Sequence, residues 1–469
     1  MTASCARTGD GCGHDYCVNR TMLATGGSVV IEDFAMRMLA AIVLMCSVST
    51  PALAQVSHDT LADAVDSAIG NNPQLMAERK ARAGADENLN QANSQLGPQV
   101  NLTGSLGYDY TEVGRQVTTA SGTFPYAGDN TRARVGLEAR QSLWSGGSLS
   151  AQRDQARAGV DAAQAQLINA EQQTVLNVVR AYMDVRRADR EVEIRQSNVA
   201  ALTEQVKAAK DRFEAGEVTR TDVAQAEARK SASDAELAAA TSRRGRANAE
   251  YEQIVGRAPL QLAAPPAVPA VPGTLDEAIS IAKTNNPAIM AARARETQGE
   301  KGVDVARGRF MPQFDLVGSA GFVSTQQDQR FDDSNVGLSA EFRFPLYDSG
   351  LLGSRTRGAQ LEADRTKYER MAVERQVTAQ VSTAWHQVVA ARGEIAASMS
   401  RVTAAGIALE GAKQELAVGE RITLDVLDQE RELLEAQLSQ VDAERVSYLA
   451  AHELLAAMGE LRPELISKQ

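Results

Sequence analysis

The chain has 469 residues and a formal net charge of -11, from 60 acidic and 49 basic side chains. No lysine or arginine block stands out and an acidic surface repels phosphate, so we expect no nucleic-acid binding. All four cysteines lie at or before Cys46, so the chain beyond them gains no stability from disulfides.

The N-terminal region is predicted to be removed before the mature chain folds. A basic residue precedes the apolar run 39–48, and a small-residue A-x-A pattern follows it. This order is typical of a secretory signal peptide over about 36–54. The run is shorter than the roughly 20 residues of a permanent membrane span. We predict that 1–54 is absent from the mature chain and that translation starts at Met36 or Met38.

The remainder of the sequence is an internal duplication. An amphipathic segment that opens at Thr60 stops at an Asn-Asn-Pro motif ending in Pro73, and the same pattern returns from Thr274 to Pro287. Agreement of order and spacing over such a length marks a structural repeat. We predict a first repeat at 55–256, a stiff linker with five prolines at 257–273, a second repeat at 274–460 and a tail at 461–469.

Each repeat contains one predicted β-hairpin. From Pro98 onwards apolar side chains alternate with polar ones, and the same alternation follows Pro312. A period of two places the apolar side chains on one face of a strand. Both segments are rich in aromatic residues, which suits strands that reach membrane interfaces. We predict hairpins at about 98–147 and 312–350, and hence four strands per chain.

Long coiled-coil helices are predicted after the hairpins. Apolar residues recur every seven positions, and this spacing keeps one stripe of a helix facing a partner. The stripes are Val185, Val192, Val199, Val206 and Phe213, then Val388, Ile395, Val402, Leu409 and Leu416. We predict rods at 148–214 and 351–417, each roughly 100 Å long. Shorter helices are expected to pack against them at about 73–97, 221–255, 287–311 and 424–458.

Four strands with one apolar face are too few to form a closed barrel in lipid. Bilayer hydrocarbon offers no partner to an open sheet edge, and bacterial barrels have about eight strands or more. Three copies would give a twelve-stranded barrel, and the attached helices would continue it as a hollow stalk. We therefore predict an α+β membrane protein whose β-barrel is closed by at least two copies of the chain and is continued by a coiled-coil tunnel. A soluble β-sandwich with coiled-coil stalks is the alternative, because alternation shows only that one face is buried.

This layout resembles the TolC family of outer-membrane channels. The features that carry the resemblance are the doubled order of hairpin and helix across 57–460, the turns at Gly216/Asp222 and Gly419/Asp425, and the motif from Thr274 to Ala278 with Asn285-Asn286-Pro287. The resemblance implies a homotrimer in the outer membrane of a Gram-negative bacterium. Its barrel would contact outer-membrane lipid, and its helical tunnel would lie in the periplasm.

The same resemblance implies what the channel works with. Family members dock onto a periplasmic adaptor and an inner-membrane pump, such as an ABC exporter, and serve type I protein secretion or drug efflux. The absence of a lipidation motif favours type I secretion, by analogy. Multidrug efflux is the alternative, and a periplasmic coiled-coil scaffold without a pore is a further one.

The resemblance also assigns a pore constriction to the second helical turn. An aperture-closing arginine and an acidic ring correspond to Arg421, Asp425 and Asp428, whereas Leu416 stands where a tyrosine of the closing network is expected. Asp425 and Asp428 are three residues apart and share a helix face, so threefold symmetry would gather six carboxylates that favour cations. Acids in a first helical turn are also common simply because they suit the helix dipole.

Both helical turns are predicted as docking surfaces for the adaptor, because exposed turns on rigid helices are frequent contact sites. Glycine is the usual helix stop, and Thr219 or Thr423 could cap the helix that follows. Arg220 and Asp222 are further candidates for aperture-closing contacts. The alternative is plain surface charge for Arg220 and Arg421, and a first-turn stabiliser or tip contact for Asp222. The predicted tip residues are Gly216, Glu217, Val218, Thr219, Gly419, Glu420, Ile422 and Thr423.

Enzyme chemistry has no support in the sequence. Beyond residue 54 the histidines are His58, His386 and His452, without metal-ligand spacing and without a cysteine. Neither a glycine-rich phosphate loop nor a nucleophile elbow is present. We therefore expect no catalytic residue, no cofactor and no metal site.

Overall fold

The computed structural model describes residues 59–326 and 330–467. The predicted non-mature region 1–54, with its signal peptide, lies outside these residues. The described helices are α1 Leu61–Asn71, α2 Pro73–Ser94, α3 Ser148–Glu214, α4 Arg220–Val255, α5 Leu275–Asn285, α6 Pro287–Gly308, α7 Leu351–Ala417, α8 Thr423–Met458 and α9 Pro463–Ser467. The described strands are β1 Gln99–Thr119, β2 Gly122–Trp144, β3 Gln313–Gln326 and β4 Arg330–Arg343.

The four strands form one antiparallel sheet in the order β1-β2-β3-β4. Paired residues lie on the same face, and one apolar row across all four strands is Leu102, Leu137, Ala320 and Val336. This face is open, with Leu102 74% and Val336 88% exposed. β1 and β4 are edge strands, whose outer backbone groups need further strands as partners. The sheet therefore suits an apolar environment on one face and copies of itself at both edges.

The rods α3 and α7 each have 67 residues, and at about 1.5 Å per residue each is roughly 100 Å long. They begin after Gly147 and Gly350, whose φ values of 81° and 83° are left-handed and favour glycine. The helices α4 and α8 return along them, α2 packs on α3, and α6 packs on both rods. None of the helices within the described ranges is long and apolar enough to cross a bilayer.

Small side chains form much of the contact surface of the long helices. Val185 and Val192 of the predicted stripe are buried, but Phe213 at its end is 45% exposed. In α7 a buried heptad series runs through Ala384, Ala391, Ser398, Ala405 and Ala412. The same spacing occurs in α8, at Ala436, Ala443 and Ala450. Small side chains allow helix axes to approach closely, so alanine carries packing that the predicted large-residue stripe did not include.

The largest apolar core lies where both repeats meet around the middle of α3. Val178 and Tyr182 from α3 and Leu454 from α8 are fully buried in it. The short helices α1 and α5 contribute alanines from both repeats. Leu461 and Ile466, from the predicted tail, are also buried there. The two repeats therefore share one core, which holds the long helices in a common arrangement.

Candidate functional site

The first helical turn joins α3 to α4. Gly216 has a φ of 77°, and the Glu217 N–H donates to the Arg212 carbonyl at 2.9 Å, as in a glycine helix stop. The Thr219 hydroxyl oxygen accepts from the Asp222 N–H at 3.4 Å, and the Asp222 carboxylate accepts from the Thr219 N–H at 2.9 Å. This reciprocal capping box stabilises the turn. Asp222 thus starts its own helix, and its aperture contact stays a prediction.

The second turn joins α7 to α8 and differs from the first at its cap. Gly419 has a φ of 81°, and the Glu420 N–H donates to the Glu415 carbonyl at 2.9 Å, so the helix ends in the same way. The cap position is occupied by Ile422, which makes no side-chain cap hydrogen bond. Thr423 is already the first residue of α8, so the expectation that it caps the helix is wrong.

The charged residues at the second turn have different environments. Arg421 forms an ion pair with Glu415 within its own hairpin. Asp425 takes the place that Asp222 has in the first repeat, but Ile422 offers it no capping hydroxyl. The Asp425 carboxylate is therefore not occupied by a capping box, and the residue is half-buried. The Asp425 side chain therefore lacks the capping contact that Asp222 makes, and its place in an acidic ring stays a prediction.

The two turns expose most of the residues that were predicted to contact an adaptor. Val418 is 72% exposed, Ile422 62% and Phe213 45%, so apolar side chains stand at the ends of both hairpins. Such side chains suit contact with another protein. Of the other residues, Val218 and Thr423 are half-buried, and the exposed ones are Gly216, Glu217, Thr219, Arg220, Gly419 and Glu420.

Asp428 lies one helical turn beyond Asp425 and joins the two repeats. Its carboxylate accepts a hydrogen bond from Arg229 of α4 at 2.7 Å. Asp425 and Asp428 lie on the same helix, α8, but only Asp428 forms an ion pair with Arg229. The sequence analysis missed Arg229; its one signal is an asymmetry between repeats, because Glu432 stands at the equivalent place in α8.

A buried carboxylate lies close to this ion pair along α8. Glu430 is 8% exposed and pairs with Lys413 of α7 at 3.6 Å. Burial raises the pKa of Glu430, and the positive charge of Lys413 opposes the rise. Glu430 therefore ties α8 to its own hairpin, whereas Asp428 ties it to the other one.

Farther from the turns, reciprocal ion pairs fix α8 against α3. Arg187 of α3 pairs with Asp442, and Arg445 of α8 pairs with Asp184. Each helix thus supplies one arginine and one aspartate. Among the ion pairs that join the two hairpins within the described residues, the one between Arg229 and Asp428 lies nearest the turns. It is the contact most directly placed to restrain the hairpin ends.

An open apolar sheet face, two edge strands and long helical hairpins together define a subunit of an outer-membrane channel. The family model for outer membrane efflux proteins matches residues 64–257 and 278–460. The chain belongs to this family, and the resemblance to the TolC family is thereby confirmed.

Named relatives and a solved structure agree with this membership. The chain is 32% identical to the outer membrane efflux protein BepC of Brucella suis over 433 residues, which cover 92% of each chain. It is 25% identical to the alkaline protease secretion protein AprF of Pseudomonas aeruginosa, over 83% of this chain and 82% of AprF. The crystal structure of CusC matches with a TM-score of 0.75 at 16% identity, over 86% of this chain and 93% of CusC.

Three further expectations are confirmed with the family. The fold class is that of a trimeric barrel with four strands per chain, continued by a helical tunnel. The protein is an outer-membrane protein. Its family consists of channels, so the expectation that it is not an enzyme also holds.

Proposed function

We propose that the protein is the outer-membrane exit duct of a tripartite export system. Three copies would close the barrel, and their hairpins would form a periplasmic tunnel that meets an adaptor and an inner-membrane pump. One observation carries the proposal: the same chain combines a sheet with an open apolar face and helical hairpins whose turns expose Val418 and Ile422. The first suits lipid and the second suits a protein partner.

Type I protein secretion is the first candidate route, with an ABC exporter as the pump. It is supported by the likeness to AprF, which is named for protease secretion. Efflux of small molecules is the second candidate, supported by 32% identity to BepC, which is named an efflux protein. A duct can serve either route, because the pump and the adaptor would select the cargo.

Deletion of the gene, with complementation by the intact gene, distinguishes the two routes. Mass spectrometry of the culture medium reports secretion, and inhibitory concentrations of a drug panel report efflux. Loss of particular proteins from the medium with unchanged drug sensitivity would support type I secretion, and the reverse would support efflux. If neither changed and purified trimers failed to conduct in planar bilayers, the duct itself would be contradicted.

The ion pair between Arg229 and Asp428 is proposed to restrain the aperture. Arg229→Ala removes the contact between α4 and α8, so the hairpins should separate more easily and the channel should stay open for longer. A partly exposed pair contributes about 0.2–1 kcal/mol, which is up to roughly a fivefold shift in the open-to-closed ratio per protomer. Single-channel recording in planar bilayers measures this ratio.

The matched control is Lys210→Ala. Lys210 pairs with Glu227 at 2.7 Å, is also partly exposed, and joins α3 to α4 within one hairpin. Its loss should leave the open-to-closed ratio unchanged. Equal opening of the Lys210 and Arg229 variants would show that the contact between hairpins has no special role at the aperture.

Asp425 and Asp428 are proposed to form an acidic ring that binds multivalent cations. Asp425→Asn should weaken block by hexaamminecobalt by about tenfold, corresponding to ~1.4 kcal/mol of lost attraction. Asp428→Asn should have a smaller effect, because Arg229 already offsets that charge. The measurement is the half-blocking concentration in planar bilayers. Unchanged block in the double variant would contradict the proposed acidic ring.

A further inference from the structure

An arginine-lined hollow lies at the base of the sheet, at the opposite end of α3 and α7 from the helical turns. Its volume is about 430 Å³, and it lies where the end of β4 meets the end of α6 and the first turns of α3 and α7. Arg309, Arg343 and Arg355 line it together with Gln152 and Gln313, and no carboxylate is among its lining residues. All three arginines are exposed in the single chain.

The hollow lies on the polar face of the sheet. Arg343 is paired with Gln313 across β3 and β4. The neighbouring Phe342 lies on the opposite, apolar face, with its ring centroid 4.9 Å from that of Phe314. In a closed barrel the apolar face meets lipid and the polar face lines the lumen. The arginines thus face the interior of the duct, at the junction of barrel and tunnel.

The carboxylates on the same face of the sheet form their ion pairs with a different arginine, Arg140. Asp315 and Glu341, on the same face of the sheet, both accept from Arg140, at 3.4 and 3.2 Å. In a closed trimer the edge strand β1 of a neighbouring copy would lie beside β4. Residues 95–108, which contain the first half of that strand, include no charged side chain. Within one copy, the lining of the hollow therefore carries three positive charges and no negative one.

We propose that this hollow is an anion-binding site in the lumen, which takes phosphate or carboxylate groups of solutes in transit. A guanidinium group matches both oxyanions with paired, charge-assisted hydrogen bonds. Threefold symmetry sets nine such groups around the duct, where low-dielectric walls strengthen their field. The duct then has an acidic end at the helical turns and a basic end at the barrel. The inference rests on the proposed duct but not on the cargo route.

Block of conductance by inorganic phosphate tests the site. Wild-type trimers in neutral phosphatidylcholine bilayers are titrated with phosphate at low ionic strength, where screening is weak. The triple variant Arg309→Gln, Arg343→Gln, Arg355→Gln should raise the half-blocking concentration at least about tenfold, the factor expected when a charge-assisted hydrogen bond is lost. Its permeability to chloride relative to potassium should also fall. The fold should be unaffected, because the three side chains are exposed.

Arg365→Gln is the matched control. Arg365 also lies on α7, but Glu362 and Glu369 already balance its charge, so phosphate block should be retained. Equal block of the wild type and the triple variant would overturn the site. A difference that arises only in bilayers containing phosphatidylglycerol would also overturn it, because it would assign the arginines to lipid headgroups. A wild type that conducts without phosphate block would remove the anion site and leave the duct standing.

Discussion

Asp59→Ala is expected to lower the thermal midpoint of the purified trimer more than any other single substitution considered. The Asp59 carboxylate is buried, and it accepts from the Tyr251 hydroxyl at 2.9 Å and from the Arg257 guanidinium. Removing one partner of such a buried pair costs about 3–5 kcal/mol. We expect the lower end of this range, because the partly exposed Arg257 side chain can turn towards solvent once its partner is lost. The remaining cost arises because the buried Tyr251 hydroxyl loses its acceptor.

The surroundings of Asp59 explain why the loss should spread. Its backbone N–H donates to the Gln261 carbonyl at 3.0 Å, and its carbonyl accepts from the Tyr182 hydroxyl at 3.0 Å. Burial raises the pKa of Tyr182 to about 12, so this hydroxyl remains a donor at neutral pH. Asp59 therefore fastens the segment before α1 to the proline-rich linker and to α3.

Circular dichroism of the trimer in detergent measures the thermal midpoint, and two further variants interpret it. Tyr251→Phe removes one hydrogen bond and should cost about 1 kcal/mol. Asp66→Ala, at an exposed position in α1, should be neutral. N-terminal sequencing checks that all variants are processed alike during export. An Asp59→Ala trimer that melts with the wild type would show that the buried carboxylate does not stabilise the fold.

Glu191→Gln is expected to have the second largest effect, and the effect should depend on pH. Glu191 of α3 is buried and accepts from Arg195 on its own helix, at 3.0 Å, and from Arg243 of α4. Losing these charge-assisted hydrogen bonds should cost about 1.5–3 kcal/mol near neutral pH. The matched control is Glu193→Gln, because Glu193 is exposed and pairs only with nearby Arg190 among the ion pairs of the described residues.

The sign of the pH dependence follows from the pKa of Glu191. Burial favours its neutral form, but the hydrogen bonds from Arg243 and Arg195 outweigh burial and hold the pKa below the ordinary value of 4.5. The folded chain therefore binds this proton less tightly than the unfolded chain. The stabilisation is complete above pH 4.5 and is lost as the pH falls through the lower folded value.

Thermal midpoints of wild type and Glu191→Gln across pH 8 to 3.5 measure this dependence. The difference between the two proteins should be constant down to about pH 5 and should shrink below pH 4.5. A difference that grew on acidification would contradict the assignment, since it would require a raised pKa in the folded state.

The long helices and the barrel strands could be predicted because their signals are local. A seven-residue stripe without proline specifies a long helix, and Gly216 supplies the backbone conformation that ends one. Alternation over the strands specifies one apolar face, and an apolar face with two edges requires copies of the same chain. The resemblance to a known family followed from the order of hairpins and helices and from their duplication.

The close contacts between helices were harder to predict, for a physical reason. Ala391 and Ala405 are buried in a heptad seam, but alanine is common on every face of these helices and carries little hydrophobic contrast. A small side chain becomes a packing position only when a partner backbone approaches it. Phe213 shows the converse, because a large apolar residue in the predicted stripe is exposed at the end of its hairpin.

The sequence by itself determined the duplication and the helical turns, since each depends on residues close together in the chain. The different caps of the two turns, Thr219 and Ile422, were seen only in the structure. Only the tertiary structure decided that Asp428 pairs with Arg229, 199 residues away, while Asp425 does not. Spacing along one helix makes these two aspartates equivalent. Which of them pairs with Arg229 depends on the face that α4 presents to α8, and that face is set by the packing of the shared core.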